Sequence, residues 1–221
     1  MVFGENVGTV EIREGNVGFA VNPVAGQKTG FFLDQRDNRL KVAAHARGSV
    51  LDMFCADGAF ALHCAKAGAE KVLGIDSSAP ALERAAANAE RNQLSEKVTW
   101  VRGMAFDELR ARSEAGERYD LVILDPPAFA KNRMELTNAF RGYVEINSRA
   151  MRLVAPGDPR DLLLLVPHDR GALHQDAPGG GLRLPSPRGI VGKAPAVDGP
   201  PDRSHAPRVV VFEGALLRID S

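Results

Sequence analysis

The sequence predicts an α/β fold: a doubly wound, mostly parallel sheet preceded by a β-hairpin. Three observations point to it. Short apolar runs alternate with helical stretches of about 10–20 residues from residue 49 to 157, as in strands covered on both faces by their own connections. Three of those runs, SVLDMF, KVLGID and YDLVILDPP, carry an acid at or near the carboxyl end: Asp52, Asp76 and Asp125. Ahead of them, VEIREGNVGFAVN sets two alternating runs around Glu14-Gly15-Asn16, the mark of a hairpin.

Taken in order, the chain divides into three parts. Residues 1–25 hold the hairpin, which reads as the remnant of a larger preceding domain. Residues 26–157 form the core. Within it, Phe31, Phe32 and Leu33 lead into a short helix with a charged face. SVLDMF is the first buried strand, and AFALHCAKAGA is a helix closed by Gly68 as its C-cap. KVLGID follows as a strand, then the Ala-rich amphipathic helix SAPALERAAANAERNQ, with Ser77 or Ser78 able to cap it. KVTWVRG is the third strand, FDELRARSEAG a helix and YDLVILDPP the fourth strand. MELTNAFRGYVEINSRAMRLVAPG is a long helix stopped by Pro156-Gly157. Residues 158–221 form an irregular tail, in which GALLRIDS reads as a short terminal strand.

At 221 residues, 44% of them apolar, the chain suits one medium domain with a small appendage. Lys plus Arg and Asp plus Glu balance at 28 each, so bulk charge argues neither for nor against a nucleic-acid partner. Cys55 and Cys64 lie on an apolar stretch without metal-ligand spacing; reduced, partly buried thiols and no metal are expected. No stretch approaches the ~18 apolar residues of a membrane span, and no signal-like segment opens the chain. A cytoplasmic protein without a membrane partner is expected.

In sheets of this kind ligands bind beyond the carboxyl ends of the strands, near the point where strand order reverses. The three acids therefore share one rim. The turn LDMFCADGAF is not a phosphate loop, since Gly58 is its only glycine. An acid followed by a Gly-containing turn suits a nucleoside with an amino-acid tail. Gly58 would let the ligand approach the backbone, Asp52 would help hold an ammonium, and Asp76 would accept from two ribose hydroxyls. Asp125-Pro126-Pro127 stiffens the chain after the fourth strand, exposing the Pro126 region as a ledge for a planar base. Phe129 offers a stacking face and Lys131 can reach a phosphate. The plainer alternatives are solvated acids on an ordinary strand-to-helix turn and a Pro-stiffened loop with a core Phe.

Asp52 with Gly58, Asp76 and Asp-Pro-Pro, in this order, resemble the class I S-adenosylmethionine-dependent methyltransferases, a Rossmann-like fold. Four further blocks narrow the resemblance: GQKTGFFLDQRDNR, LDMFCADGAFALHCAKAGA, DPPAFAKN and RGYVEINSRAMRL. Over residues 9–157 they are similar to the PUA-containing family of 23S ribosomal RNA cytosine-5 methyltransferases. The resemblance implies S-adenosyl-L-methionine as cofactor and large-subunit ribosomal RNA as substrate. It implies that Lys28, Thr29, Phe31, Gln35 and Arg36 close over the cofactor. Asp52, Phe54, Gly58 and Asp76 would take its methionine and ribose parts, and Asp125 would lie between cofactor and target base. By the same resemblance, the N-terminal PUA-type RNA-binding module is missing here.

The sequence departs from that family in two places. Members carry an acid near the end of the third strand to meet the adenine amine; here Gly103-Met104 stands there, with Asp107 as a displaced substitute. They also carry a cysteine on the strand after the long helix. Cytosine C5 needs it: a thiolate adds at C6, makes C5 enamine-like and leaves after transfer. DPRDLLLLVPHD holds no cysteine at that place, and no catalytic nucleophile is identifiable. Residues 158–213 contain nine of the 14 prolines and no Asn, Thr, Tyr, Cys, Met or Trp. Codons for DPRDLLLLVPH, read one base later, can spell ILVTCSCSYH, the missing strand with its cysteines. Two compensating frameshifts, near Gly157 and Glu213, are therefore expected. A genuine Pro-rich loop is the rival reading. The competing functions are an amino-group methyltransferase, disfavoured because Ala128 separates Asp-Pro-Pro from the aromatic, and a cofactor-binding remnant without turnover.

Overall fold

The computed structural model describes residues 8–22, 31–127, 136–155, 162–165 and 208–211. The hairpin consists of β1 (Val10–Glu14) and β2 (Val17–Val21), antiparallel, with Val10 opposite Val21 and Glu14 opposite Val17. Gly15, at φ 57°, makes the tight turn that a side chain would strain. A 3-10 turn (Leu33–Gln35) runs into α1 (Arg36–Ala43). There follow β3 (Ser49–Met53), α2 (Ala59–Ala67), β4 (Lys71–Asp76), α3 (Ala79–Arg91), β5 (Val98–Arg102), α4 (Ala105–Glu114), β6 (Leu121–Leu124) and α5 (Leu136–Met151). Two further strands, β7 (Leu162–Leu165) and β8 (Arg208–Val211), complete the sheet.

The main sheet is parallel throughout, in the order β5-β4-β3-β6-β7-β8. The chain winds outward from β3 to β5, then returns to lay β6 on the other side of β3. The strand order thus reverses between β3 and β6, where the carboxyl ends of neighbouring strands diverge to leave a crevice.

Alternation along the strands fills two separate cores. Val50 of β3, Val72 of β4, and Leu121 and Ile123 of β6 face one side. They pack with Val17, Phe19 and Val21 of the hairpin, Val42 of α1 and Phe60, Leu62 and Cys64 of α2. Leu51, Met53, Ile75, Val122 and Leu124 face the other side, against Leu109 of α4 and Ile146 and Ala150 of α5. This period of two explains why the strands read as continuous apolar runs: both faces are covered.

The hairpin is stitched to this core. Asn92 of α3 accepts from the Gly18 N–H at 2.8 Å and donates to the Gly18 carbonyl at 2.7 Å, and Asn88 accepts from the Ala20 N–H at 2.9 Å. Ser78 caps α3, its hydroxyl accepting from the Ala81 N–H, and Gly68 (φ 124°) closes α2, as expected.

Three details differ from the sequence reading. α5 ends at Met151 rather than at Pro156-Gly157. Leu153 and Val154 instead drop into the second core, and Val154 bridges Tyr119. The four leucines do form a fifth strand of the sheet, in register with β6 (Leu121 opposite Leu162), but β8 was not anticipated. The proposed terminal strand in GALLRIDS lies outside the described residues. Both cysteines are free and fully buried rather than partly so.

Candidate active site

The switch point gathers the three acids on adjacent strands: Asp76 ends β4, Asp52 lies near the end of β3, and Asp125 follows β6. Between β3 and α2 the turn is unusual. Phe54 (φ 64°), Ala56 (φ 46°) and Gly58 (φ 79°) all adopt the left-handed region, which costs a residue with a side chain about 1–2 kcal/mol. The Ala56 N–H that this conformation aims outward donates to Asp76 Oδ2 at 2.9 Å, and the Ser78 N–H donates to Oδ1, also at 2.9 Å. Asp76 is thus held by two backbone donors, with lone pairs left over and part of its surface in solvent.

Asp52 has no exposed surface. Its Oδ2 accepts from the Ala61 N–H of the first turn of α2 at 2.9 Å, which makes it an anchor for that helix. Its Oδ1 is buried without a hydrogen-bond partner among the described residues. Burial pushes the Asp52 carboxyl well above the usual carboxylate range, the negative charges of Asp125 and Asp76 adding to the effect. Such an oxygen is suited to a cationic or hydrogen-bond-donating partner. Burial also lifts Asp125, to about 7, with Asp34 adding to the rise and Arg39 opposing it.

Gly58 owes its lack of a side chain to the protein as much as to any ligand. A Cβ there would lie 2.5 Å from the Trp100 ring and 3.1 Å from Ala85, and one at Gly74 would lie 2.3 Å from the same indole. Trp100 therefore fills the floor beneath the turn. The ledge is also shifted by one residue from the sequence reading: Pro126 is buried and Pro127 exposed. Lys28, Thr29, Phe129 and Lys131 lie outside the described residues. Phe31 and Gln35 are buried, Arg36 is exposed, and Phe54 is half-buried against the second core.

Beyond the end of β5, Asp107 in the first turn of α4 is 71% exposed and paired with Arg110. Glu108 lies against Gly103 instead, where a Cβ would meet its Cγ at 2.5 Å. It is held from behind by Arg112 at 3.1 Å. Both acids belong to the first turn of α4, and Glu108 is the one that turns back against the end of β5.

The largest omission from the sequence reading is a buried polar cluster. Glu14, assigned there to the hairpin turn, is 3% exposed and accepts from Arg39 Nε at 2.6 Å and Nη2 at 2.7 Å. His63 Nε2 lies 3.0 Å from Glu14 Oε1. Burial alone would raise the Glu14 carboxyl, but its hydrogen bonds to Arg39 and His63 outweigh this and hold it down at about 2. A charged residue next to Gly-Asn reads as solvated turn, so the sequence carried no local signal for it.

Among the described residues no cluster of His, Cys, Asp or Glu has the makings of a metal site, and no helix is long and apolar enough to cross a membrane.

A doubly wound parallel sheet with its acids at the switch point defines the class, and the family follows. Residues 1–169 match the S-adenosylmethionine-dependent methyltransferase family model, and the chain belongs to that family. It is similar to Ribosomal RNA large subunit methyltransferase I of Photobacterium profundum (43% identity over 150 residues, 67% of this chain). It is likewise similar to the protein of the same name from Aeromonas hydrophila (43% over 161 residues, 71% of this chain). The chain spans 38% and 41% of the length of these two relatives. Among solved structures it resembles the SAM-dependent methyltransferase from Agrobacterium tumefaciens, with TM-score 0.61 and 24% identity over 75% of this chain and 53% of that one. M. jannaschii tRNA m1G37 methyltransferase gives TM-score 0.50 and 20% identity over 70% of this chain and 43% of that one. At these identities the structural likeness speaks to the fold.

Proposed function

We propose that this chain is the cofactor-binding portion of a large-subunit ribosomal RNA methyltransferase directed at cytosine C5. The observation that carries the cofactor reading is the trio of carboxyls on three adjacent strand ends, with Asp52 Oδ1 buried and lacking a partner among the described residues. An ammonium supplies the partner that oxygen lacks. Asp76, oriented by the Ala56 and Ser78 amides, offers its remaining lone pairs to two ribose hydroxyls. Phe54 and Gly58 border the methionine part, and Lys28, Thr29, Phe31, Gln35 and Arg36 close over the whole. The base then extends past Asp76 toward β5, where Glu108 rather than Asp107 meets the adenine amine. When bound, the cofactor supplies an electrophilic methyl group. Asp125, with Pro126 and Pro127, stands between it and the target base, and Phe129 and Lys131 serve the RNA. The ribosomal RNA assignment rests on the names of the two relatives, and the C5 assignment on the resemblance of the sequence blocks.

As written, the chain lacks the nucleophile for C5 chemistry. Cys55 and Cys64 do not replace it: burial pushes both thiols far above the range in which a thiolate forms at neutral pH, and both belong to the turn and helix beneath the cofactor. We attribute the missing cysteine to a shift of reading frame between about residues 157 and 213. The Leu162–Leu165 strand is compatible with this, because a run of four leucines suits a strand of a parallel sheet whichever frame encodes it. This same observation favours a second reading for the chain as it stands, a cofactor-binding protein without turnover.

The decisive comparison is tritiated methyl incorporation into unmodified large-subunit ribosomal RNA. One arm uses the chain as written; the other uses a chain with residues 158–213 rebuilt from the shifted frame and joined to an RNA-binding module. Incorporation as 5-methylcytosine by the rebuilt chain alone is expected. Equal incorporation by both refutes the frameshift and the nucleophile assignment together.

A further inference from the structure

The Glu14–Arg39–His63 cluster has no part in holding cofactor or base as assigned above, yet it places two charged groups almost wholly out of water. Arg39 is 2% exposed and Glu14 3%. Stability does not explain such a pair, since desolvating two charges offsets most of their attraction. What Arg39 touches does. Its Nη2 donates to the Phe32 carbonyl at 2.9 Å, an oxygen that also accepts from the Gln35 N–H at 3.2 Å. Its guanidinium carbon lies 4.7 Å from the centre of the Phe31 ring, which in turn rests 5.0 Å from Phe19 of β2. One side of the guanidinium is therefore gripped by the hairpin, and the other holds the segment that leads into α1.

We propose that Glu14 and Arg39 are positioning residues of the methyltransferase site: the hairpin carboxylate locks the guanidinium, which fixes the Phe31–Gln35 segment and supplies positive charge to Asp125. This rests on the reading of Asp125 and the Phe31–Gln35 segment as parts of the site. Only a planar fork suits the task, because the same group must meet both oxygens of Glu14 and one backbone carbonyl; a lysine offers a point charge. Charged groups that act on Asp125 include Arg39 from α1, Asp34 from the 3-10 turn and Asp52 from β3. Arg39 is the cation of that set, and Glu14 and His63 behind it set where its charge sits.

The test uses the full chain without ligand and reads two quantities: amide hydrogen exchange at Leu33 and Gln35, and the titration of the Asp125 carboxyl by carbon NMR. Arg39→Lys keeps the charge and loses the fork. It is expected to leave the Asp125 titration near that of the unaltered chain while exchange at Gln35 accelerates about tenfold or more. The double substitution Glu14→Leu with Arg39→Met removes both charges together, so that neither is left buried and unpaired. It is expected to fold, to accelerate the same amides, and to let Asp125 keep its proton to higher pH. If the double variant fails to fold, Glu14→Gln takes its place for the exchange readout: it retains the shape of the side chain and the Arg39 charge, loosens the lock on the guanidinium, and is expected to accelerate exchange at Gln35. A folded double variant with exchange and titration unchanged, or Glu14→Gln with exchange unchanged, overturns the proposal and leaves the pair a packing feature. Calorimetry with S-adenosylhomocysteine separates the two levels. Absence of binding to the unaltered chain strikes the cofactor reading, while the ligand-free readouts still decide the positioning role.

Discussion

Replacing Asp76 tests the cofactor site at the residue whose surroundings are best defined. Its carboxylate accepts from two backbone amides, Ala56 and Ser78, each at 2.9 Å, and in the proposed function it also accepts from two ribose hydroxyls. Hydrogen bonds to a charged group contribute about 1.5–3 kcal/mol apiece. Losing at least one such bond in Asp76→Ala is expected to weaken S-adenosylhomocysteine about 10- to 150-fold, at 1.4 kcal/mol for each factor of ten. Part of the loss comes from the turn itself. Ala56 sits at φ 46°, a conformation that the bond to Asp76 helps to hold, so the variant is also expected to be less stable by about 1 kcal/mol. Asp76→Asn keeps one carbonyl oxygen but turns an amide NH₂ toward a donor that needs an acceptor, and is expected to fall between the two. Trp100, the only tryptophan, packs beneath Gly58 and Gly74 and reports on the site by fluorescence, with calorimetry as the independent measurement. A folded Asp76→Ala protein that binds as tightly as the unaltered chain refutes the ribose assignment.

Gly74→Ala is expected to destabilise the fold by about 1–3 kcal/mol through collision with the Trp100 ring, and Gly58→Ala by more, because left-handed strain adds to the same collision. Urea unfolding measures both, and a neutral Gly58→Ala contradicts the packing account. Stability should also depend on pH with opposite signs at two carboxyls. Asp125 is raised to about 7, so the folded state gains from its protonated form, and this contribution fades as pH rises from about 4 to 7. Asp125→Asn should accordingly unfold at higher temperature than the unaltered chain at pH 8. Glu14 is lowered to about 2, so its contribution is complete above about 4.5 and is lost as pH falls toward 2. Glu14→Gln should flatten that acid limb of a thermal melting series. Glu108→Ala should weaken S-adenosylhomocysteine more than its inosine analogue, which lacks the adenine amine; equal losses would make Glu108 a partner of Arg112 alone.

The sheet was legible because buried parallel strands and amphipathic helices announce themselves locally. The acids at their ends follow from that register, which explains why Asp52, Asp76 and Asp125 were found together. Other parts depend on contacts between distant residues. Glu14 lies beside a Gly-Asn turn and is buried by Arg39 and His63, 25 and 49 residues away. Gly58 was legible as a necessary glycine, but the indole that demands it comes from β5. Glu108 was passed over for its neighbour Asp107: both lie in the first turn of α4, and only tertiary packing decides which of the two turns back toward β5. Pro126, expected to be exposed, is buried because it still follows the buried line of β6, and the exposed proline is Pro127. β8 carries three consecutive valines, a strand signal of its own, hidden by the proline-rich composition around it.

The bonding of Asn88 and Asn92 to β2 has a directional consequence. A strand's outer edge is ordinarily open to whatever strand arrives next. Here the outward N–H groups of Gly18 and Ala20 and the Gly18 carbonyl are occupied by amide side chains from α3. The β2 border of the hairpin is thus closed at these groups. A strand from this chain or another cannot pair with β2 there without displacing those amides, so the two asparagines guard that border against growth of the small sheet.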